Sequence, residues 1–230
     1  MIYDDVLNVT WMQDANYVVT SGYAAKNAQP VSTGNSNNIS LGGEMGFDAA
    51  TTWVNQLIYQ GYGDWRLATM IDTGTLGCNH SFSGTDCGYN VQTYDKDTKT
   101  IYSELAYMFH ENLSVLSRFD TAGNLRESGF GLEDTGQFEN LYSSLYWIGT
   151  ESNYPNNGGA WGFRSDYGRQ FSQVAKNNEF HAWALRDGDV TVVPLPATFW
   201  LFGSALIGLL GLKKKDIYIK DGKIVTKPRN

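Results

Sequence analysis

Only two cysteines, three histidines and five prolines occur in 230 residues, and these shortages exclude several kinds of chemistry. With His80, His110 and His181 as the whole imidazole supply, an activated Ser, Cys or Thr nucleophile has few bases to draw on. None of the three lies in a recognised active-site motif, and their separations do not suggest zinc. A Walker loop and a Rossmann glycine pattern are both missing, which leaves nucleotide chemistry without a foothold. Cys78 and Cys87, in GCNHSFSGTDCGYN, have no second Cys/His pair at finger-like spacing, so no metal is expected there. The eight residues between them suit a small disulfide-closed loop in an oxidising compartment; the alternative is two free thiols in a reducing one. No cofactor is implied.

Positive charge is scarce too, except at one end. Residues 213–230 hold seven of the 17 Lys/Arg and two of the 24 Asp/Glu, which leaves 10 basic against 22 acidic residues before them. A body near -12 argues against binding nucleic acid through phosphate neutralisation. Sugars, cations and basic partners remain open. Asp95 to Thr100 lacks the glycine and closing glutamate of a calcium loop. Asp187-Gly188-Asp189 reads as a tight turn ending a strand rather than as a calcium ligand set.

What the chain does have is aromatic residues, 14% of the total, and 25 glycines, a composition suited to a turn-rich extracellular domain. Phe47, Ala50, Trp53, Val54, Leu57 and Ile58 recur at helical spacing, with Asp48 as N-cap and Gly61 as stop. A second helix is expected from Ser103, as cap, to about Leu113. LYWIGT, AWGFRS, RQFSQV, HAWALRD and VTVV are short, aromatic or β-branched and separated by Gly, Asn and Asp, so they read as antiparallel strands. Two helices early and short strands late make an α+β order. Residues 25–43 and 94–100 read as polar loops. Trp11, Trp53, Trp65, Trp147, Trp161 and Trp183 sit on separate elements, as expected of large side chains meeting in one core. Arg66, in a body short of positive charge, is expected to pair with a carboxylate and pin a loop.

From Leu195 to Leu212 there are eighteen residues without charge, which as a helix span about 27 Å and can cross a bilayer. Pro194 and Pro196 stand at its start, and Lys213, Lys214 and Lys215 close it on the side that the positive-inside bias makes cytoplasmic. A C-terminal transmembrane helix is expected. Val193-Pro194-Leu195-Pro196-Ala197, then Trp200-Leu201-Phe202-Gly203-Ser204, then a Gly/Leu run and the lysines, resemble the PEP-CTERM sorting signal of Gram-negative bacteria. The resemblance implies export, an inner-membrane anchor, an exosortase-type processing enzyme as partner, and final residence at the cell surface or in an extracellular polysaccharide matrix. That signal normally ends after its basic cluster, whereas here residues 216–230 follow, either as a divergent or frameshifted end or as a small cytoplasmic strand pair. The first 17 residues have neither a basic n-region nor an apolar h-region, so either the start is misplaced and a leader upstream of Met1 is expected, or the C-terminal run also serves as the export signal; the first is preferred.

A second resemblance covers the body, residues 1–192. Tyr3-Asp4-Asp5-Val6-Leu7, Gly63-Asp64-Trp65-Arg66-Leu67, Ser103-Glu104-Leu105-Ala106, Tyr146-Trp147-Ile148-Gly149 and Ala182-Trp183-Ala184-Leu185-Arg186-Asp187 occur in order. They resemble the Lcl C-terminal domain (DUF1566) family, with Ala68 where the family has a proline. The resemblance implies a C-type-lectin-like fold, in which ligands bind the long loop after the Trp-Ile-Gly strand. Here that loop offers Glu151, Asn153, Asn156 and Asn157, suited to sugar hydroxyls or calcium. The Glu-Pro-Asn and Trp-Asn-Asp motifs of calcium-dependent lectins are missing. The expected organisation is thus an extracellular domain (1–192), a sorting signal with its membrane helix (193–215) and a basic cytoplasmic tail (216–230). The expected function is non-catalytic binding or adhesion in a polysaccharide or biofilm matrix. The alternatives are a matrix structural protein without a specific ligand, and an enzyme on a formylglycine-generating type of fold, which would need its cysteine pair reduced.

Overall fold

Antiparallel pairing brings the two ends of the body together. The computed structural model describes residues 1–29, 34–73, 82–152 and 158–190, with the backbone of two further strands at 217–220 and 223–226. In chain order the elements of the body are β1 (Ile2–Asp4), β2 (Val9–Trp11), α1 (Tyr17–Thr20), α2 (Tyr23–Asn27), α3 (Phe47–Gln56), β3 (Arg66–Leu67), β4 (Gly88–Tyr89), β5 (Tyr94–Asp95), β6 (Thr100–Ile101), α4 (Glu104–Tyr107), β7 (Leu145–Glu151), β8 (Ala160–Arg164), β9 (Arg169–Val174) and β10 (Ala184–Asp187). One sheet has the order β1-β2-β10-β3 and a second the order β4-β9-β8-β7, while β5 and β6 form a separate hairpin. Every ladder is antiparallel, so the body is a mixed α/β domain with few helices.

All six singled-out tryptophans are buried. Trp183 packs within an aromatic cluster, with ring centroids 4.7 Å from Trp11, 4.7 Å from Phe138 and 6.1 Å from Phe109. Its indole N–H donates to Met12 O at 2.8 Å. Trp147 packs on Phe47 and Phe180 and donates to Met45 O at 2.7 Å, which ties β7 to the entrance of α3. The next glycine in the Trp-Ile-Gly stretch permits a close approach. A Cβ on Gly149 would lie 3.0 Å from the Leu67 Cβ, and the Gly149 N–H donates to Ala68 O at 2.7 Å, which sets β7 directly against the end of β3.

The helices differ in detail from expectation. Helix α3 forms, but its N-cap is Gly46; Asp48 is its second residue, within the first turn, and accepts from the Ser36 hydroxyl. The correction follows from position, because a carboxylate in the first turn meets the helix dipole without being the residue that starts the turn. The helix stops at Gln56, and Ile58 is 75% exposed rather than on the buried face. Gln60 and Gly61, both at positive φ, then form a two-residue turn between Tyr59 and Tyr62. Ser103 does cap α4: its hydroxyl accepts from the Ala106 N–H at 3.2 Å and donates to Gln170 Oε1 at 2.6 Å. Residues 108–112 continue α4 as one π-helical turn. Helices α1 and α2 break the two-helix expectation, and α2 occupies the start of the expected 25–43 loop.

Arg66 does pair with a carboxylate. Its Nη1 and Nη2 each lie 2.7 Å from the two oxygens of Glu104, and it reaches Asp187 as well. Glu104 is 3% exposed and also accepts from the Thr69 backbone N–H and hydroxyl. One buried carboxylate thus joins β3, the start of α4 and the turn after Leu67. Burial alone would lower the Arg66 pKa, but the Glu104 and Asp187 contacts hold it above its usual value.

Two histidines are buried as neutral rings. His110 Nδ1 lies 2.7 Å from Val115 O, so Nδ1 carries the proton, and the buried Nε2 has no hydrogen-bond partner. His181 Nδ1 is likewise buried without one, with Glu44 3.7 Å from Nε2. Burial lowers both pKa values, opposed in part by Val115 O at His110 and by Glu44 at His181. Unfolded imidazoles protonate near about 6.5. Below that pH the unfolded chain therefore takes up protons that the fold refuses, and stability falls as pH drops through about 6.5, with a flat region above about 7. Thermal melts from pH 8 to 5 should show this fall. His110→Asn should reduce its slope by at most about 1.4 kcal/mol per pH unit; an unchanged slope would mean that His110 does not titrate there.

Residues 191–230 form a separate unit. Within it β11 (Ile217–Lys220) and β12 (Lys223–Thr226) pair antiparallel, with Lys220 opposite Lys223. Among the described residues no helix is long and apolar enough to cross a membrane. The expected span Leu195–Leu212, the residues Pro194, Leu195, Pro196, Lys213, Lys214 and Lys215, and all but the first residue of VTVV lie outside the described residues.

Candidate ligand-binding site

The register of the second sheet builds a charged row that no contiguous motif announces. Leu145 pairs with Arg164, Arg164 with Arg169, and Arg169 with Tyr89. These four residues therefore share one face across β7, β8, β9 and β4, a row about 14 Å long at normal strand spacing. Their neighbours Phe163 and Gln170 point the other way and are buried. The hairpin thus turns a ring and an amide to one side, and Arg164 and Arg169, paired across the strands, to the other.

Like charges in that position are destabilising by roughly 0.2–1 kcal/mol. Arg164 binds Asp166 through Nε at 3.1 Å and Nη2 at 2.7 Å, and its guanidinium lies 4.2 Å from the Tyr167 ring centre. The Asp166 contact, opposed by burial, raises the Arg164 pKa. Arg169 lies 5.7 Å from the Tyr89 ring. A third guanidinium, Arg118, stands 4.9 Å from Tyr167 and 5.9 Å from Phe130. Its Nε is buried without a hydrogen-bond partner, and no ion pair among the described residues includes it. Phe82, Tyr89 and Phe119 extend the aromatic surface, with Tyr89 and Phe119 4.9 Å apart.

Backbone contacts hold Arg118 beside the hairpin. Its N–H donates to Tyr167 O at 2.9 Å, and the Ser117 hydroxyl donates to Gly168 O at 2.6 Å. Gly131, at φ 81°, lies so close beneath that a Cβ would be 2.3 Å from Asp166 O. The row is therefore carried on a strand pair and braced by two loops.

The expected site residues fare differently. Glu151 ends β7 beyond a bulge, is mostly exposed, and pairs with Lys176 Nζ at 2.8 Å. Lys176 also lies 5.2 Å from the Phe47 ring. Asn153, Asn156 and Asn157 lie outside the described residues. Cys87 is buried and disulfide-bonded, while Cys78 lies outside the described residues, as does His80. A disulfide at Cys87 counts against the formylglycine-generating alternative, which needs a reduced pair. Asp95 accepts from the Asp97 and Thr98 backbone in the turn joining β5 to β6. Asp187 is held by Arg66, and Arg186 binds Asp64 with two contacts of 2.8 Å, so Arg186 to Asp189 is a braced turn. Among the described residues no group of three His, Cys, Asp or Glu side chains is placed to hold a metal.

One signal in the sequence points toward the row. Four of the ten basic residues before residue 213 are Arg118, Arg126, Arg164 and Arg169, three of them within two residues of an aromatic side chain. What the sequence does not show is that Arg164 and Arg169 face each other, which depends on register. No family model, no curated protein and no solved structure matches the chain.

Proposed function

We propose that the chain is an exported bacterial surface protein whose body binds polysaccharide without catalysis, sorted through its C-terminal segment by an exosortase-type enzyme. The sorting part of this reading rests on Val193 to Lys215 and their resemblance to PEP-CTERM signals. The binding part rests on the body, and the cluster of Arg118 and Arg164 on the rings of Tyr167 and Phe130 is the observation that carries it. Cations stacked on aromatic rings at a partly exposed face, one of them with a buried Nε that has no hydrogen-bond partner, suit a ligand-binding surface. The C-type-lectin-like reading has support in the pairing of β2 with β10 and in the place of Trp147, Ile148 and Gly149 on β7, but the row sits at the opposite end of β7 from Glu151.

The test is binding of the full chain to immobilised polysaccharides, including the producer's own matrix. Arg118→Gln with Arg164→Gln should weaken binding at least about tenfold, or about 1.4 kcal/mol. Glu151→Ala should leave it within about twofold, since that carboxylate is already held by Lys176. Saturable binding to no polysaccharide would overturn the proposal and favour a matrix structural protein without a specific ligand.

A further inference from the structure

We infer that the cleft between β1, the π-helical turn and residues 136–138 binds an unacetylated hexosamine unit of a polysaccharide, with its ammonium group on Asp5 and its ring on aromatic side chains. This inference rests on the polysaccharide reading and adds a second point of contact, which shares no residue with the cluster of Arg118 and Arg164. The cleft holds about 290 Å³, near the lower end of small-molecule sites at about 300–1,000 Å³, so it takes one sugar unit rather than several. Trp11 and Phe138, both buried, and the exposed Tyr3 line it with rings, while Asp5, Asn112 and Gln137 add polar groups. Among the described residues that line it there is no lysine, arginine or histidine.

Two features of the free protein ask for a guest. The Trp11 side chain is fully buried, yet its indole N–H has no hydrogen-bond partner, and a buried donor left unmet is costly. The second is the carboxylate of Asp5. Its neighbour Asp4 is already engaged within the fold, accepting from the Val6 and Leu7 N–H groups and from the Asn112 amide at 2.7 Å. Asp5, which is exposed, makes no side-chain hydrogen bond or ion pair among the described residues. The π-helical turn builds the facing wall. Its Leu113 N–H returns to Met108 O at 3.0 Å, one residue further back than in an α-helix, and Asn112 at its end reaches Asp4. Such turns are frequent at functional sites.

Charge and chemistry together choose the guest. The Tyr107 phenol is raised in pKa by burial first and then by Asp4, Glu111 and Asp5, so the potential around Asp4 and Asp5 is negative. That potential repels uronates and phosphates and favours an ammonium, which aromatic rings also attract. A simple aliphatic amine would leave the indole N–H unmet. A hexosamine instead brings hydroxyl oxygens for that donor and for the Asn112 and Gln137 amides, and a C–H face for the rings. N-acetylation removes the charge and adds bulk, so the free amine is what the cleft distinguishes. A body near -12 draws such a chain in, over a range that physiological salt limits to about 8 Å.

The experiment titrates two hexamers onto the full chain at physiological ionic strength, the N-acetylated hexamer from chitin and the same hexamer fully deacetylated. The free-amine form should bind at least about tenfold more tightly. Asp5→Asn should weaken its binding by about fivefold, while Glu127→Gln, which removes an exposed carboxylate that does not line the cleft, should leave it within about twofold. Near-ultraviolet circular dichroism checks that both variants keep their aromatic packing. Equal affinity for the two hexamers, or an equal loss in the two variants, would overturn the inference and leave polysaccharide binding standing. Binding to neither hexamer, with binding retained to another polysaccharide, would also overturn it, whereas binding to no polysaccharide at all would remove both readings.

Discussion

Replacing Arg66 with alanine should destabilise the body by about 3 kcal/mol, the lower end of what breaking a buried ion pair costs. The loss comes less from Arg66, which keeps partial access to solvent, than from what it leaves behind. Glu104 is buried, receives both guanidinium nitrogens at 2.7 Å, and would retain only the Thr69 contacts. Arg66→Lys should recover only part of the loss, because an ammonium cannot span both Glu104 oxygens and Asp187 with fixed geometry. Changing both partners, Arg66→Met with Glu104→Leu, should be milder than Arg66→Ala alone. Urea denaturation of the three variants gives the comparison. A single-variant loss below about 1 kcal/mol would show that the pair behaves as a surface contact.

Trp183→Ala should be at least as damaging, by about 3–5 kcal/mol. Its ring meets Trp11, Phe109, Phe138 and Tyr146, which come from β2, the π-helical turn, the loop before β7, and β7. No neighbouring side chain can fill so large a volume, and Met12 O loses its indole donor at the same time. Trp183→Phe keeps most of the packing and should cost roughly 1–3 kcal/mol, mainly through the lost hydrogen bond. Near-ultraviolet circular dichroism should register the alanine variant as a loss of fixed aromatic packing. An alanine variant that retains both its signal and its melting temperature would show that the ring cluster is not what joins the two sheets.

Much of this architecture was legible where local pattern and tertiary environment agree. LYWIGT, AWGFRS and RQFSQV became β7, β8 and β9 because their aromatic and aliphatic residues suit a strand covered on both faces: Tyr146 to Ile148 and Ala160 to Phe163 are buried in succession, and Arg164 is only partly buried. HAWALRD contains β10, which begins at Ala184, after a separate parallel bridge from His181 to Tyr146. Ser103 could be recognised as a cap because a hydroxyl before a helical run satisfies a free N–H whatever the rest of the fold does. Asp48 carries the same kind of signal, yet Gly46 begins the helix, as its close packing on Ser36 O requires.

The illegible parts depend on distance along the chain. Strands β1 and β2 are three residues each and exist because β10, over 170 residues later, supplies a partner for β2. Helices α1 and α2 have four and five residues, too few to show a period and too short to form alone. The arginine row is the extreme case. Arg164 and Arg169 are five apart in sequence, and only the turn from Ser165 to Gly168 makes them opposite. A loop of one residue more would have set them on different faces.

The strand order of the first sheet also bears on how the body withstands mechanical load. The chain leaves the body through β10, and β10 is an inner strand, flanked by β2 on one side and β3 on the other. A pull on the carboxyl end therefore meets two ladders at once, with the Arg66 and Arg186 contacts clamping the flanks. An edge strand such as β1 could peel away one hydrogen bond at a time, but the strand nearest a C-terminal tether cannot. On the proposed reading of a C-terminal anchor, the strand that takes the pull is thus held along both of its sides.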